Sequence, residues 1–188
     1  AWSMLRALRP HQWSKNVLLF LPMLAAHDIT AAGPVALAFL AFCFTASAVY
    51  IVNDLLDLAA DRAHPRNCRR PFAAGALGPG HGAAMTALLL VAALALGLAT
   101  GQGLFLGVLA VYLAITFAYS LSLKRKLIID VLALAGLYTI RIVAGGVAAG
   151  LVLSPWLLGF SMFLFLGLAA VKRQAELTDQ MATSRESS

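Results

Sequence analysis

The sequence is poor in charge and in cysteine, and both shortages restrict the class of protein. Only 12% of the 188 residues are charged, whereas 61% are hydrophobic and the mean hydropathy is +0.86. Because soluble domains carry about 25% charged residues, a soluble globular protein is excluded. The two cysteines lie in an apolar run and in an arginine-rich stretch, which gives neither a disulfide framework nor zinc-ligand spacing. The four histidines are scattered, which argues against a histidine metal site.

Long apolar runs predict a membrane protein instead. A membrane-spanning helix needs roughly 20 mostly apolar residues. Six runs approach or reach that length, at residues 13–26, 34–52, 82–100, 104–120, 127–150 and 155–171. The N-terminal segment is polar and aromatic, so we expect no cleaved signal peptide. The predicted fold class is an all-α polytopic membrane bundle of about six helices over residues 1–177, followed by a polar tail at 178–188.

The basic residues predict how this bundle is oriented. Of the 14 Lys and Arg residues, all but Arg141 lie before or at the start of the first run, after the second, after the fourth or after the sixth. Since cytoplasmic segments are enriched in Lys and Arg, both termini are predicted to be cytoplasmic in a multi-pass cell-membrane protein. Topology and anionic headgroups account for the net charge of +6, so no nucleic-acid partner is required.

A polar cluster at the end of the second run is the main candidate site. Asn53, Asp54, Asp57 and Asp61 occur in a chain that has only eight acidic residues. If the helix continues through them, a turn of about 100° per residue puts all four in one quadrant, together with Tyr50. Crowded carboxylates suit Mg²⁺, which completes its shell with substrate phosphates. The alternative interpretation is a solvated acidic helix end.

An arginine-rich loop follows immediately and contains Arg62, Arg66 and Arg70. Guanidinium groups match phosphate oxygens in a bidentate manner. A metal-binding acidic face beside arginines is what a diphosphate-bearing donor requires, since cation and arginine both stabilise the departing diphosphate. Anchoring by the positive-inside rule is the simpler explanation for part of these arginines.

These residues resemble the first aspartate-rich motif of the UbiA superfamily of intramembrane prenyltransferases. The pattern Asn-Asp-x-x-Asp-x-x-x-Asp at residues 53–61, followed by Arg70-Pro71, carries the resemblance. Segments 8–16 and 119–125 agree with it in order and spacing. The Arg-Pro-His-Gln-Trp opening and the segments 61–65 and 172–177 are most similar to the decaprenyl-phosphate phosphoribosyltransferase branch. That branch uses phosphoribosyl diphosphate as donor and a polyprenyl phosphate as acceptor.

The resemblance implies a role for each matching residue. Asp54, Asp57 and Asp61 would be the catalytic residues that hold Mg²⁺ on the donor diphosphate, oriented by Asn53. The substrate-binding positions that it implies are Lys15, Tyr50, Asn53, Arg62, Arg66, Arg70, Tyr119, Lys124, Arg125, Asp130, Lys172, Arg173 and Glu176. Without the resemblance, the last three residues could form a helix-end salt bridge.

Arg141 lies roughly 16 Å deeper in the fifth run than Asp130, on nearly the same helix face and close in angle to Tyr138. A central arginine costs about 2.5 to 3.5 kcal/mol on insertion scales, so it should face the bundle interior or a wet cavity. We expect it to have an interhelical partner or a cavity role.

Members of the superfamily usually have nine transmembrane helices, so a third of the bundle would be absent. This leaves open a fragment, a truncated product or one part of a homo-oligomer. Three functions are compatible with the residues: a phosphoribosyl transferase acting on polyprenyl phosphate, a prenyltransferase with an aromatic or lipid acceptor, and a catalytically incomplete module that binds polyprenyl lipid. A transporter is disfavoured, since the polar residues gather at one face and not at the bilayer midplane.

Overall fold

The computed structural model describes residues 2–65, 67–121 and 127–186, with the backbone alone at 121, 127–128, 176–177 and 179–186. Throughout these ranges the regular structure is helical, which confirms the predicted fold class. The elements in order are α1 (Trp2–Leu8), a long 3₁₀ helix (Pro10–Phe20), α2 (Leu21–Ala25), a short 3₁₀ turn (Ile29–Ala31), α3 (Ala32–Leu56), α4 (Leu58–Ala63), a second short 3₁₀ turn (Asn67–Arg69), α5 (Pro79–Ala99), α6 (Gly103–Leu121), α7 (Leu127–Ala148) and α8 (Pro155–Glu186).

Five helices of the described chain are long and apolar enough to cross a membrane. They are Ile29–Leu56, Pro79–Ala99, Gly103–Ser120, Ile129–Ala148 and Pro155–Ala175. Each coincides with one of the last five predicted runs. Leucine, valine and phenylalanine side chains are exposed along α5 and α8, where they can contact lipid.

The first predicted run does not form a long α-helix. It folds as the long 3₁₀ helix followed by the five-residue α2. Pro22 is one cause, because proline lacks an N–H donor and its ring clashes with the carbonyl four residues earlier. It occupies the first turn of α2, where neither defect disrupts a hydrogen bond.

The long 3₁₀ helix is fixed to α3 by side-chain hydrogen bonds. Trp13 Nε1 donates to Ser47 Oγ at 3.0 Å, and Ser47 Oγ donates to the carbonyl of Leu8 at 2.7 Å. Deeper in the bundle, the buried Asn16 amide donates to Cys43 Sγ at 3.3 Å. These contacts determine where the 3₁₀ helix presents its polar side chains.

The other side of the long 3₁₀ helix packs against α7 at Gly145. A Cβ at this position would lie 1.9 Å from the carbonyl oxygen of Leu19. Only glycine therefore permits this approach. Leu19 is itself fully buried in the main core, where α3 contributes Phe42 and α6 contributes Tyr112 at a ring-centroid distance of 4.5 Å from Phe42.

The last helix, α8, has 32 residues and continues to Glu186. Residues 178–186, predicted as a polar tail, therefore extend the final membrane helix in the structure. No glycine or proline occurs after Gly167 in the sequence, so nothing in the backbone chemistry ends the helix there.

Candidate functional site

Asp54 and Asp61 form the centre of the candidate site. Asp54 lies in the last turn of α3 and Asp61 in α4, and both side chains are buried. Arg70 joins them, with Nη1 3.2 Å from Asp54 Oδ1 and 2.6 Å from Asp61 Oδ2. The Asn67 amide also donates to Asp61 Oδ1 at 2.9 Å. The loop after α4 therefore holds the two carboxylates together.

The third aspartate is placed differently from the continuous-helix prediction. α3 ends at Leu56, and Asp57 occupies the turn before α4 begins at Leu58. Its side chain is exposed. The chain thus changes direction within the motif, so the spacing of the aspartates does not translate into one continuous helix face. The metal-binding and catalytic roles of all three aspartates remain predictions.

Arg9 is a neighbour of Asp54 that the charge pattern alone did not single out. It has a left-handed backbone conformation, with φ 51° and ψ 57°, at the start of the long 3₁₀ helix. Its Nη2 lies 2.6 Å from Asp54 Oδ1, and its guanidinium carbon lies 5.0 Å from the ring centroid of Tyr50. Arg9 occurs in the Arg-Pro-His-Gln-Trp segment, which is the signal that could have identified it.

Only one of the two carboxylate oxygens of Asp54 accepts hydrogen bonds. Oδ1 accepts from both Arg9 and Arg70, whereas Oδ2 is buried without a hydrogen-bond partner. In the described part of the chain, no group of three or more His, Cys, Asp and Glu side chains could hold a metal by itself. Mg²⁺ is often held by one or two carboxylates plus substrate phosphates, and the unpartnered Asp54 oxygen beside Asp61 fits that mode.

A cleft of about 570 Å³ opens beside Asp54, and we call it the basic cleft. Its lining residues are Trp2, Leu5, Arg6, Arg9, Pro10, His11, Asp54, Arg69, Arg70 and Pro71. Four arginines and a single carboxylate therefore line this cleft. This balance of charge makes the cleft attractive to a multiply charged anion that carries a divalent cation.

A second and more enclosed space of about 310 Å³ lies inside the bundle, and we call it the bundle cavity. Its polar lining residues are Gln12, Lys15, Tyr50, Asn53, Tyr112, Thr116, Tyr119, Ser120, Tyr138, Arg141 and Lys172. The Asn53 amide donates to Ser120 Oγ at 2.7 Å, and the Tyr119 hydroxyl donates to Asp130 Oδ1 at 2.7 Å. These two hydrogen bonds connect α3 with α6 and α6 with α7 at the cavity wall.

Arg141 lies on the wall of the bundle cavity and has partners on two other helices. Its Nε donates to Asn16 Oδ1 at 2.8 Å, and its Nη2 donates to Tyr112 Oη at 3.2 Å. A third donor group bonds the carbonyl of Leu137 one turn earlier. The expectation of an interhelical and cavity role for Arg141 is confirmed.

Lys15, from the long 3₁₀ helix, lies near two other cations. Burial of part of its side chain lowers the pKa of Lys15 from its usual 10.5, and the charges of Arg141 and then Lys172 lower this pKa further. Lys15, Arg141 and Lys172 thus all line the bundle cavity.

The remaining predicted site residues fall into two groups. Arg62 is exposed, Asp130 is buried and Arg173 is half-buried, and none of these three lines the basic cleft or the bundle cavity. Arg66, Lys124 and Arg125 lie outside the described residues, as does the side chain of Glu176. The cavity residues that sequence reasoning did not assign to substrate are Gln12, Tyr112, Thr116, Tyr138 and Arg141.

Comparison with known proteins gives a consistent result. The model of the UbiA prenyltransferase family matches residues 17–180. The chain is 46% identical over 178 residues to the uncharacterized protein y4nM of Sinorhizobium fredii, covering 92% of this chain and 34% of that protein. It is 41% identical over 180 residues to the decaprenyl-phosphate phosphoribosyltransferase of Corynebacterium glutamicum, covering 93% of this chain and 54% of that enzyme.

Its fold is similar to that of a UbiA homolog from Archaeoglobus fulgidus bound to DMAPP and Mg²⁺. The TM-score is 0.72 at 20% sequence identity, covering 87% of this chain and 60% of that one. The chain thus spans from about a third to about half of the two curated relatives described above.

Proposed function

Because the chain belongs to the UbiA prenyltransferase family, we propose that it contributes the site of a Mg²⁺-dependent membrane transferase. In this proposal a phosphoribosyl group moves from phosphoribosyl diphosphate to a polyprenyl phosphate. The observation that carries it is the unpartnered, buried oxygen of Asp54 in a cleft lined by four arginines. The name of the Corynebacterium relative supports this choice of donor and acceptor.

The basic cleft is the proposed donor site. Phosphoribosyl diphosphate is a water-soluble, multiply charged molecule, so its site must be accessible from water and rich in cations. The basic cleft provides Arg9 and Arg70 beside Asp54, with Arg6 and Arg69 further out. Guanidinium groups can bind the two phosphate groups of the donor in a bidentate manner.

Asp54, Asp57 and Asp61 are the proposed Mg²⁺-binding and catalytic residues. Asp54 and Asp61 form the buried pair, and Asp57 is the exposed member in the turn. When bound, the cation would neutralise charge on the diphosphate and make it a better leaving group.

The proposed transfer is a balanced substitution at the anomeric carbon of the ribose. An oxygen of the lipid phosphate forms a bond to this carbon while the bond from the carbon to the diphosphate oxygen breaks. The electron pair of the broken bond leaves with the diphosphate. Arg9 and Arg70 are placed to stabilise the negative charge that develops on it.

The proposed location is the cytoplasmic membrane, with the basic cleft on the cytoplasmic side. The arginines of the cleft belong to the basic segments that the positive-inside rule assigns to the cytoplasm. This side is also where a soluble phosphorylated sugar would be available. A homo-oligomer stays a prediction.

Calorimetry in nanodiscs tests the proposal by comparing phosphoribosyl diphosphate with geranyl diphosphate, each with and without Mg²⁺. We expect Mg²⁺-dependent binding of the sugar donor, weakened at least about tenfold by Asp54→Asn, which corresponds to about 1.4 kcal/mol. Asp57→Asn should have a smaller effect, because its side chain is exposed. The matched control is Asp28→Asn, since Asp28 is outside both spaces and an amide oxygen can still accept from the Thr30 N–H.

Each other outcome contradicts the proposal in a recognisable way. Preference for geranyl diphosphate would favour a prenyltransferase that uses the same aspartates. Absence of any Mg²⁺-dependent binding would favour a catalytically incomplete lipid-binding module. An equal loss of affinity in Asp54→Asn and Asp28→Asn would mean that Asp54 has no specific role.

A further inference from the structure

Four charged side chains beside the basic cleft form one ion-pair cluster, which we call the quartet. Its members are Arg9, Asp54, Asp61 and Arg70. Arg70 Nη1 contacts both carboxylates, at 3.2 Å from Asp54 Oδ1 and 2.6 Å from Asp61 Oδ2. Arg9 Nη2 lies 2.6 Å from the same oxygen of Asp54. The charges of the two arginines therefore balance those of the two aspartates, and the quartet is neutral without a metal ion.

The carboxylates of the quartet are buried more deeply than the guanidinium group that joins them. The side chains of Asp54 and Asp61 are 3% and 5% exposed, against 32% for Arg70. A buried carboxylate is costly without a counter-charge, and Arg70 supplies one to both. Asp54 Oδ2 still has no hydrogen-bond partner. Arg70 thus neutralises the pair and leaves one of its oxygens available to another cation.

Arg70 and a divalent cation compete for the same carboxylates. Mg²⁺ is held by one or two carboxylates, and Asp54 and Asp61 are the pair that Arg70 bridges. Adding Mg²⁺ to the neutral quartet would leave two uncompensated positive charges in a partly buried place, which opposes binding of the metal alone. A diphosphate removes this conflict, because it brings negative charge and oxygens that a guanidinium group can bind in a bidentate manner.

The local packing lets the Arg70 side chain move while its backbone stays in place. Pro71 and Phe72 follow it directly and are both buried, and Phe72 packs in a core cluster with Ile51 and Leu77. The Arg70 side chain lines the basic cleft and is one-third exposed. Rotation about its side-chain bonds can therefore carry the guanidinium group from the carboxylates into the cleft.

We propose that Arg70 is the counter-cation of the metal-free site, that a divalent cation displaces its guanidinium group from Asp54 and Asp61, and that the displaced group then binds the diphosphate. This inference rests on the proposed function for the presence of a metal and a diphosphate, but not for the sugar donor or the lipid acceptor. It makes binding of the metal and binding of the diphosphate mutually reinforcing through one side chain.

The first test is calorimetry of nanodisc-embedded protein with Mg²⁺ alone. Arg70→Gln should bind Mg²⁺ at least about tenfold more tightly than the wild type, because no guanidinium group has to be displaced. Arg69→Gln is the matched control, since Arg69 lines the same cleft but is exposed. Its affinity for Mg²⁺ should stay within about threefold of the wild type, because solvent screens an exposed charge. Arg70→Lys retains the charge and should give a smaller gain than Arg70→Gln.

Thermal unfolding distinguishes this displacement from a purely structural ion pair. In EDTA, Arg70→Gln should unfold at a lower temperature than the wild type, because two buried carboxylates lose a shared counter-charge. Mg²⁺ should then raise the Tm of Arg70→Gln more than that of the wild type, because a ligand that binds the folded state more tightly stabilises it more. A purely structural ion pair would give the same Mg²⁺ response in both proteins.

The second half of the proposal is tested with methylenediphosphonate, which has two phosphonate groups but no ribose and no lipid. With saturating Mg²⁺, Arg70→Gln should bind it at least about tenfold more weakly than the wild type. Without Mg²⁺ the two proteins should differ by less than about threefold, since Arg70 is then engaged with Asp54 and Asp61.

The results separate this inference from the proposed function. Mg²⁺ affinity that is unchanged or reduced in Arg70→Gln overturns the inference, even if the wild type binds phosphoribosyl diphosphate normally. An equal gain in Arg69→Gln also overturns it, because the effect is then one of general charge. A contribution of Arg70 to diphosphonate binding that is the same with and without Mg²⁺ overturns the exchange. If these tests succeed but geranyl diphosphate is the preferred donor, the inference holds and the proposed phosphoribosyl transfer is wrong.

Discussion

Replacing Gly145 by alanine should displace the segment that carries Lys15. The new methyl group would lie 1.9 Å from the carbonyl oxygen of Leu19 and 2.7 Å from its carbonyl carbon. Both atoms belong to the backbone, so no side-chain rotation relieves the collision. The long 3₁₀ helix and α7 would have to separate by about 1.5 Å, the difference between 1.9 Å and the 3.4 Å of an ordinary contact.

The expected cost follows from two opposing effects. Overpacking of a core typically costs about 1 to 3 kcal/mol, and a collision between two backbones belongs at the upper end. Alanine is favoured over glycine in a helix by about 0.8 to 1.0 kcal/mol, which partly offsets this cost. Gly107→Ala in α6 is the matched control, because no atom lies within 4 Å of its Cβ position. The two variants should therefore differ by about 3 kcal/mol, since the helix-propensity gain is common to both.

The assay is equilibrium unfolding in mixed micelles, followed by circular dichroism, for the wild type and both variants. Gly145→Ala should be destabilised by about 2 kcal/mol, and Gly107→Ala should be as stable as the wild type or slightly more stable. Equal stability of the two variants would refute the argument that this glycine sets the distance between the 3₁₀ helix and α7.

Two further predictions concern the same segment. Ser47→Ala removes the hydroxyl that accepts from Trp13 and donates to Leu8, so it should lower the free energy of unfolding by roughly 1 to 3 kcal/mol in the same assay; a change below about 0.5 kcal/mol would show that these groups find other partners. The lowered pKa of Lys15 means that the unfolded state binds more protons than the folded state between that pKa and 10.5, so the ligand-free protein should become more stable as the pH rises through this window. Lys15→Gln should flatten that part of the profile, and an unchanged slope would assign it to other groups.

Hydropathy predicted the membrane helices well because their defining property is a local one. A run of apolar residues long enough to cross the bilayer is visible without knowing its neighbours, and five of the six predicted runs are candidate spans. Hydropathy does not distinguish a 3₁₀ helix from an α-helix, so the form of residues 10–20 could not be read from it. Hydropathy also did not predict that α8 continues beyond residue 177. The residues there are polar, but a polar composition does not itself end a helix.

The candidate site was predictable only where residues are close in sequence. Asn53, Asp54 and Asp61 fall within nine positions, so their clustering was visible, although the turn at Asp57 was not. The partner of Arg141 is Asn16, 125 positions away, and no spacing rule connects them. The contact between Arg9 and Asp54 was not predicted for another reason. The positive-inside rule already explains a basic residue at this position, so the sequence gives no reason to expect an acidic partner.

Asn53 lines the bundle cavity and Asp54 lines the basic cleft, so the rotation of α3 about its axis determines which side chain reaches each space. Consecutive residues of an α-helix point about 100° apart, which lets adjacent side chains serve compartments on different sides of one helix. Inserting a single residue upstream in α3 would present Asn53 to the basic cleft and Val52 to the bundle cavity, although the composition of the motif would be intact. Length changes in this helix should therefore be far less tolerated than substitutions on its lipid side, because an inserted residue rotates the whole motif by about 100°.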